Sequence, residues 1–142
     1  MKNEEPPRPR GKWKGPPDIL DRPFQFAVGV IQLSLRLDHR PGTGRVMMSQ
    51  ILRAGTSVPS NVEEAQAPQS KADFISKMSI ALKEARETHL RLRLLATANL
   101  LPDNQTGPLI READELKRII GMIIVSARRN SANCVKGKRI HC

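Results

Sequence analysis

A proline inside an otherwise helical run is the feature that most limits what this chain can fold into. Across residues 49–95, apolar side chains recur at helical spacing, and Pro59 falls within the first of these runs. Proline lacks a backbone N–H, and its ring clashes with the preceding turn of a helix. We therefore predict a helix with a kink or short break at Pro59, where Ser57, Ser60 and Asn61 satisfy the freed backbone groups.

The apolar periodicity of the chain predicts four helices joined by short connections. The first helix spans residues 21–38, and the second starts between residues 43 and 46 and stops before Pro68. The third has Ser70 as its N-cap, with Asp73 approximating a capping box, and ends near residues 98–99. The fourth has Thr106 as its cap and Pro108 in its first turn. No strand-like alternation occurs. The predicted fold class is all-α, an up-down-up-down antiparallel four-helix bundle.

The first and fourth helices carry unusually wide apolar faces. The predicted buried stripe of the first helix is Phe24, Ala27, Val28, Ile31 and Leu35, widened by Val30, Leu33 and Leu37. That of the fourth is Leu109, Ala113, Leu116, Ile120, Ile123 and Ala127, widened by Ile119, Ile124 and Val125. Because these faces are wider than one bundle needs, we expect apolar surface on the single chain and a homo-oligomer that buries it.

The charge balance points to a polyanionic partner. The 142 residues include 24 Lys and Arg against 14 Asp and Glu, a formal charge of +10. Such a field attracts nucleic acid or an anionic surface. Aromatic residues make up only 3% of the chain and Tyr is absent, so contact through phosphates and shape is favoured over base stacking. There are two alternatives: the basic surface is solvated and has no partner, or it binds an acidic protein.

The candidate nucleic-acid contacts are basic residues that share helix faces or lie in the C-terminal region. Arg86 and Arg93 share a face of the third helix with His89. Arg128 and Arg129 also suit the end of the fourth helix, where cations complement the helix dipole. The full predicted set is Arg36, Arg40, Arg45, Arg86, Arg93, Arg111, Arg118, Arg128, Arg129, Lys136, Lys138 and Arg139.

Nothing in the sequence predicts an enzyme, a metal site or a cofactor. Carboxylate metal sites in helical bundles use a Glu-x-x-His motif, and neither His39 nor His89 has a Glu three residues before it. We expect the carboxylates of Glu63, Glu64, Glu84 and Glu87 to pair with Arg53 or other cations, or to cap the kink. Neither a serine triad context nor a Walker phosphate loop is present.

The chain divides into a basic, Pro-rich N-terminal tail over residues 1–18, a bundle over 19–130 and a basic C-terminal tail over 131–142. The composition of the N-terminal tail predicts disorder in the absence of a partner. Cys134 and Cys142 both lie in the C-terminal region and cannot staple a core, so we expect reduced thiols. With no secretory signal and no apolar run long enough for a bilayer, we predict a cytoplasmic protein without a membrane partner.

Three segments in series carry a family resemblance: RAGTSVPSNVEEAQ (53–66), SKADFI (70–75) and ALKEARET (81–88). They resemble the bacterial four-helix bundle family that includes proteins encoded by intervening sequences of 23S ribosomal RNA. The same family includes the accessory variability determinants of diversity-generating retroelements. The resemblance spans about residues 21–129, with one departure: Leu90 and Arg91 stand where relatives often carry aromatic residues.

The resemblance implies a homopentameric ring of antiparallel bundles without enzymatic activity. In the retroelement branch it implies a protein that binds a reverse transcriptase together with RNA and cDNA and supports mutagenic reverse transcription. In the intervening-sequence branch it implies a structural or protein-interaction module. The net charge and the basic C-terminal tail favour the retroelement branch, and the intervening-sequence type is the alternative.

Overall fold

A computed structural model describes residues 19–37 and 42–135; positions 1–18, 38–41 and 136–142 lie outside this description. The described residues form four helices and no strand, so the predicted all-α class is confirmed for them. The helices are α1 (Asp21–Ser34), α2 (Thr43–Glu64), α3 (Lys71–Thr97) and α4 (Asp103–Val135). Within this described part, no helix is long and apolar enough to cross a membrane.

Helix α1 starts at Asp21 as predicted but ends earlier than residue 38. Its last turn tightens, since the amide of Arg36 donates to the carbonyl of Leu33 at 3.1 Å, an i to i−3 bond. The hydroxyl of Ser34 also donates to the carbonyl of Ile31 at 2.6 Å. These bonds satisfy carbonyls at the helix end, and the chain leaves the helix at Leu35.

Helix α2 is continuous through Pro59. The predicted short break is therefore wrong, whereas the predicted bend stays a prediction. Side chains near the proline bond to the backbone: the amide of Asn61 donates to the Ser57 carbonyl at 2.9 Å, and the hydroxyl of Thr56 donates to the Leu52 carbonyl at 2.7 Å. Because Val58 and Val62 on either side of the proline are fully buried, packing holds this segment in the helix despite the missing N–H.

The predicted N-cap of the third helix is confirmed. The hydroxyl of Ser70 accepts a hydrogen bond from the amide of Asp73 at 3.0 Å, and the Asp73 carboxylate accepts one from the amide of Gln69 at 3.1 Å. Two amides at the helix start are thereby satisfied by side chains, as in a capping box. At the other end, Asn99 takes a left-handed conformation with φ 57°, which stops the helix close to the predicted residue.

The predicted cap of the fourth helix is wrong. Helix α4 starts at Asp103 rather than after Thr106, and Pro108 consequently lies inside the helix. Thr106 is buried, and its hydroxyl donates to the carbonyl of Pro102 at 3.4 Å instead of accepting an amide proton. At the C-terminal end, α4 continues to Val135, so the first residues of the predicted 131–142 tail are helical.

The core is built from one face of each helix, and α1 buries only part of the apolar set that was predicted: Ala27, Val30, Leu33 and Leu37 are confirmed as buried. Phe24, Ile31 and Leu35 of the predicted stripe are 51%, 44% and 68% exposed. The residues that α1 buries are Pro23, Phe26, Ala27, Val30 and Leu33, and Ile19 and Leu37 join them at its ends. Since α1 is apolar on two opposite sides, one side enters the core and the other faces outward. The core from the other helices is Met48, Ile51, Val58, Val62, Met78, Ala81, Ala85, Leu92, Leu95, Ala113, Leu116, Ile120 and Ile124.

Helices α2 and α3 run in opposite directions, as the two ion pairs between them show. Between α2 and α3, Arg53 contacts Glu87, while Glu64, further along α2, contacts Lys77, earlier in α3. Each helix packs on the next in sequence, and α1 also packs on α4. Arg22 of α1 forms a two-point ion pair with Glu112 of α4 at 2.8 and 2.9 Å. This pair fixes α1 against α4.

Two helical glycines provide a test of the packing. A Cβ at Gly55 would lie 3.2 Å from both Cγ atoms of the fully buried Val30, whose β-branched side chain has little rotamer freedom. A Cβ at Gly121 would meet nothing within 4 Å. Alanine favours helix by about 1 kcal/mol over glycine, whereas overpacking a core costs about 1–3 kcal/mol.

We therefore expect Gly121→Ala to raise the free energy of unfolding and Gly55→Ala to be less stable than Gly121→Ala by about 1–3 kcal/mol. Urea denaturation followed by circular dichroism measures both. Equal stabilisation by the two substitutions would contradict the close approach of α1 and α2 at Gly55.

Candidate nucleic-acid interface

The predicted nucleic-acid contacts that fall in the described residues are all exposed: Arg36, Arg45, Arg86, Arg93, Arg111, Arg118, Arg128 and Arg129. Arg40, Lys136, Lys138 and Arg139 lie outside the described residues. Arg45 lines a groove between α1 and α2, and Arg36 follows the end of α1. The other six belong to α3 and α4. The predicted cations therefore form separate groups rather than a single patch.

The largest of these groups lies where α3 and α4 meet. Arg86, His89 and Arg93 follow one another at spacings of three and four residues, which places them on one face of α3. His89 contacts Lys117 of α4, with 3.2 Å between its Nδ1 and the Lys117 Nζ, and Arg118 follows directly. We call Arg86, His89, Arg93, Lys117 and Arg118 the basic seam. Within the described residues, Arg86 and Arg93 have no ion-pair partner.

His89 is held neutral by its surroundings. It is half-buried, and its Nδ1 accepts a hydrogen bond from the ammonium of Lys117, which places the ring proton on Nε2. Burial and then the charge of Lys117 lower the pKa of His89 below its ordinary 6.5, with a further contribution from Arg93. Asp114 acts in the opposite direction. A neutral imidazole among cations is therefore the state of the isolated chain at neutral pH.

A single carboxylate bridges the two cations that α4 gives to the seam. The Oδ1 of Asp114 lies 3.0 Å from the Lys117 Nζ, and its Oδ2 lies 2.9 Å from a guanidinium nitrogen of Arg118. The hydrogen bond from Lys117 lowers the pKa of Asp114, and the charge of Arg118 lowers it further against the effect of burial. Arg118 also pairs with Glu115 at 3.0 Å. Asp114 thus holds both cations in place.

The opposite seam, between α2 and α3, is electrically balanced. Arg53 pairs with Glu87 at 2.7 Å and with Glu84 at 3.5 Å, as the sequence predicted. Arg91 also binds Glu87 and additionally hydrogen-bonds to Gln50. Burial raises the pKa of Glu87, but Arg53 and Arg91 outweigh it, so the net shift is downward. These carboxylates are held by cations, and no group of His, Cys, Asp and Glu in the described residues is arranged to hold a metal ion.

Sequence reasoning missed Lys117 and Asp114. Asp114 stands three and four residues before Lys117 and Arg118, a spacing that signals ion pairs within a helix. The contact between Lys117 and His89 joins positions far apart in the sequence, and no local pattern marks it. Lys117 belongs to the seam only because α3 and α4 pack side by side, and Asp114 reaches the seam through its ion pair with Lys117.

The fold and the surface define a class: a basic, all-α protein of four packed helices, whose largest group of exposed cations lies along the seam between α3 and α4. The profile of a protein family described as 23S rRNA-intervening sequence protein matches residues 18–122 of the chain. That span includes α1, α2, α3 and most of α4. The chain belongs to this family.

A solved structure shares the fold. The chain is similar to a protein of unknown function from the S23 ribosomal protein family of Bacteroides thetaiotaomicron VPI-5482, whose crystal structure superposes with a TM-score of 0.69. The two are 37% identical, and the match covers 75% of this chain and 97% of the other. No curated protein matches the chain.

The lowered pKa of His89 predicts a loss of stability in weak acid. Since the unfolded chain binds the His89 proton at a higher pH than the folded chain does, stability is fully present above about 6.5 and falls as the pH drops towards the folded pKa. We expect His89→Gln to lose less stability than the wild type between pH 7.5 and 5.5, measured as the urea midpoint. The other histidines are common to both proteins. An identical pH slope would contradict the environment described for His89.

Proposed function

We propose that this chain is a non-enzymatic helical scaffold of the intervening-sequence protein type, which binds RNA phosphates along its basic seam and assembles with copies of itself. The observation that carries the RNA assignment is the seam, where four cations project from two packed helices. Its two nearby carboxylates, Asp114 and Glu115, both lie on α4, so the α3 side of the seam keeps its charge uncompensated. Phosphate contacts of this kind need no base readout and no aromatic platform.

If RNA binds along the basic seam, removing cations from the seam should weaken RNA binding more than removing the same number of cations elsewhere. We expect the double variant Arg86→Gln with Arg93→Gln to bind mixed-sequence RNA at least about tenfold more weakly. Its log–log slope of affinity against salt should fall by about 2, one for each cation removed. Fluorescence anisotropy across a salt series measures both quantities.

The matched control is Arg53→Gln with Lys77→Gln, which removes the same charge from the balanced α2–α3 seam. Because those cations are already paired with carboxylates, we expect its affinity to stay within about threefold of the wild type. Equal losses for the two double variants would show that only net charge matters. An acidic protein as the partner would give no RNA binding by the wild type.

Self-association is the second part of the proposal. The contacts between successive helices support the up-down-up-down bundle, and the outward stripe of α1 formed by Phe24, Val28, Ile31 and Leu35 supports an interface. Leu35 continues into an open groove of about 440 Å³ that also includes Leu37, Met48 and Leu52. Ser34, Arg45 and Ser49 complete the lining of this groove. An apolar stripe that leads into a partly apolar groove is the kind of surface that a second copy covers. A pentameric ring, as the family resemblance implies, is the assembly we propose.

A charge placed in the α1 stripe should separate the copies without unfolding them. Leu35 is exposed in the single chain, so Leu35→Glu removes no core contact but disfavours burial between copies. We expect a pentamer for the wild type and a monomer for Leu35→Glu in sedimentation equilibrium, with unchanged helical content. Gln32→Glu adds the same charge to an exposed site on the same helix and should remain pentameric. A monomeric wild type would contradict the proposal.

The narrower hypothesis is an accessory protein of a diversity-generating retroelement that binds a reverse transcriptase with RNA and cDNA. It rests on the net charge and the basic tail, whereas the family match points to the intervening-sequence type. Scaffold function and RNA binding require no polymerase. Co-purification with a reverse transcriptase distinguishes the two: a stable ternary complex supports the retroelement role, and RNA binding without polymerase supports the scaffold.

A further inference from the structure

We propose that Lys117, Arg118, Arg93 and His89 form a seat for one phosphate group, and that Asp114 occupies the position of this anion in the free protein. The inference rests on the proposed RNA binding and deepens it, since it names the residues that hold a backbone phosphate. Lys117 becomes the central contact. Asp114 becomes the group that weakens binding, although it belongs to the same surface.

The geometry around Asp114 resembles anion recognition. A carboxylate presents two anionic oxygens, and here each oxygen binds a different cation, at 3.0 Å to Lys117 and 2.9 Å to Arg118. A phosphodiester also presents two anionic oxygens, and Lys and Arg are its common partners. Arg118 has donors left over after binding Asp114 and Glu115, because a guanidinium carries five N–H groups. The same cations are thus already placed for a phosphate.

Two further groups, Arg93 and His89, can contact an incoming anion although neither binds Asp114. Arg93 has no ion-pair partner within the described residues, yet its charge reaches His89. His89 accepts a hydrogen bond from Lys117, so a proton taken up at Nδ1 would release Lys117 towards the anion. The charged groups that face His89 are Lys117 and Asp114 from α4 and Arg93 from α3 itself. A bound phosphate adds a negative charge to this set and favours the protonated ring.

The first test changes Asp114 and Lys117 and measures the affinity for a labelled, mixed-sequence single-stranded RNA. Asp114→Asn removes the competing carboxylate and should strengthen binding about fivefold, while Lys117→Gln should weaken it about tenfold. The matched controls lie on the other seam, where Lys77 binds Glu64 at 2.8 Å. Glu64→Gln and Lys77→Gln make the same charge changes and should each move the affinity less than twofold. If each seam variant matches its control, the seat is refuted while RNA binding by the basic surface stands.

The second test uses inorganic phosphate and the imidazole signals of His89 in NMR spectra, assigned with His89→Gln. Phosphate at constant ionic strength should move the titration midpoint of His89 to higher pH in the wild type, relative to chloride, and leave it unchanged in Lys117→Gln. If the wild type does not bind RNA but its His89 midpoint moves with phosphate, the seat is a site for free phosphate. The proposed RNA binding is then wrong. A midpoint that phosphate does not move overturns the seat whether or not RNA binds.

Discussion

The surface chemistry depends on how α2 and α4 pack against the two sides of α3. Ala81 and Ala85 are fully buried, and small residues at a helix contact allow a short distance between axes. On one side of α3 this packing places Arg53 beside Glu87; on the other it places Lys117 beside His89. The same helix therefore presents carboxylates to α2 and cations to α4. The packing of one core therefore produces both the balanced seam between α2 and α3 and the basic seam between α3 and α4.

Much of the fold was predictable because its signals are local. The four helices follow from apolar spacing, and the Ser70 cap follows from a hydroxyl three residues before Asp73. The pairing of Arg53 with the carboxylates of α3 was also predicted, since a cation facing glutamates across a bundle has few other partners. The start of α4 was missed because Thr106 has the residue type of a cap but sits inside the helix, where its hydroxyl bonds back to Pro102.

The rest depends on which faces meet, and local patterns do not contain that information. Helix α1 repeats apolar residues on two opposite sides, so helical spacing alone predicts burial of the side with Ile31 as readily as burial of the side with Val30. Packing against Gly55 of α2 selects Val30, and the other side is left exposed. The seat around Asp114 was likewise beyond local reasoning, because its partners come from two helices. The exposure of the candidate arginines was predictable from their spacing, but their division into separate groups was not.

We propose two properties for this chain: copies associate through the exposed side of α1, and the basic seam binds RNA through its phosphates. Light scattering on the full chain mixed with RNA, run during size exclusion at low and at high salt, tests both together. We expect an oligomer at both salt concentrations, with RNA co-eluting only at low salt because high salt screens the phosphate contacts. A monomer that never carries RNA, or an RNA complex that persists at high salt, would contradict the proposal.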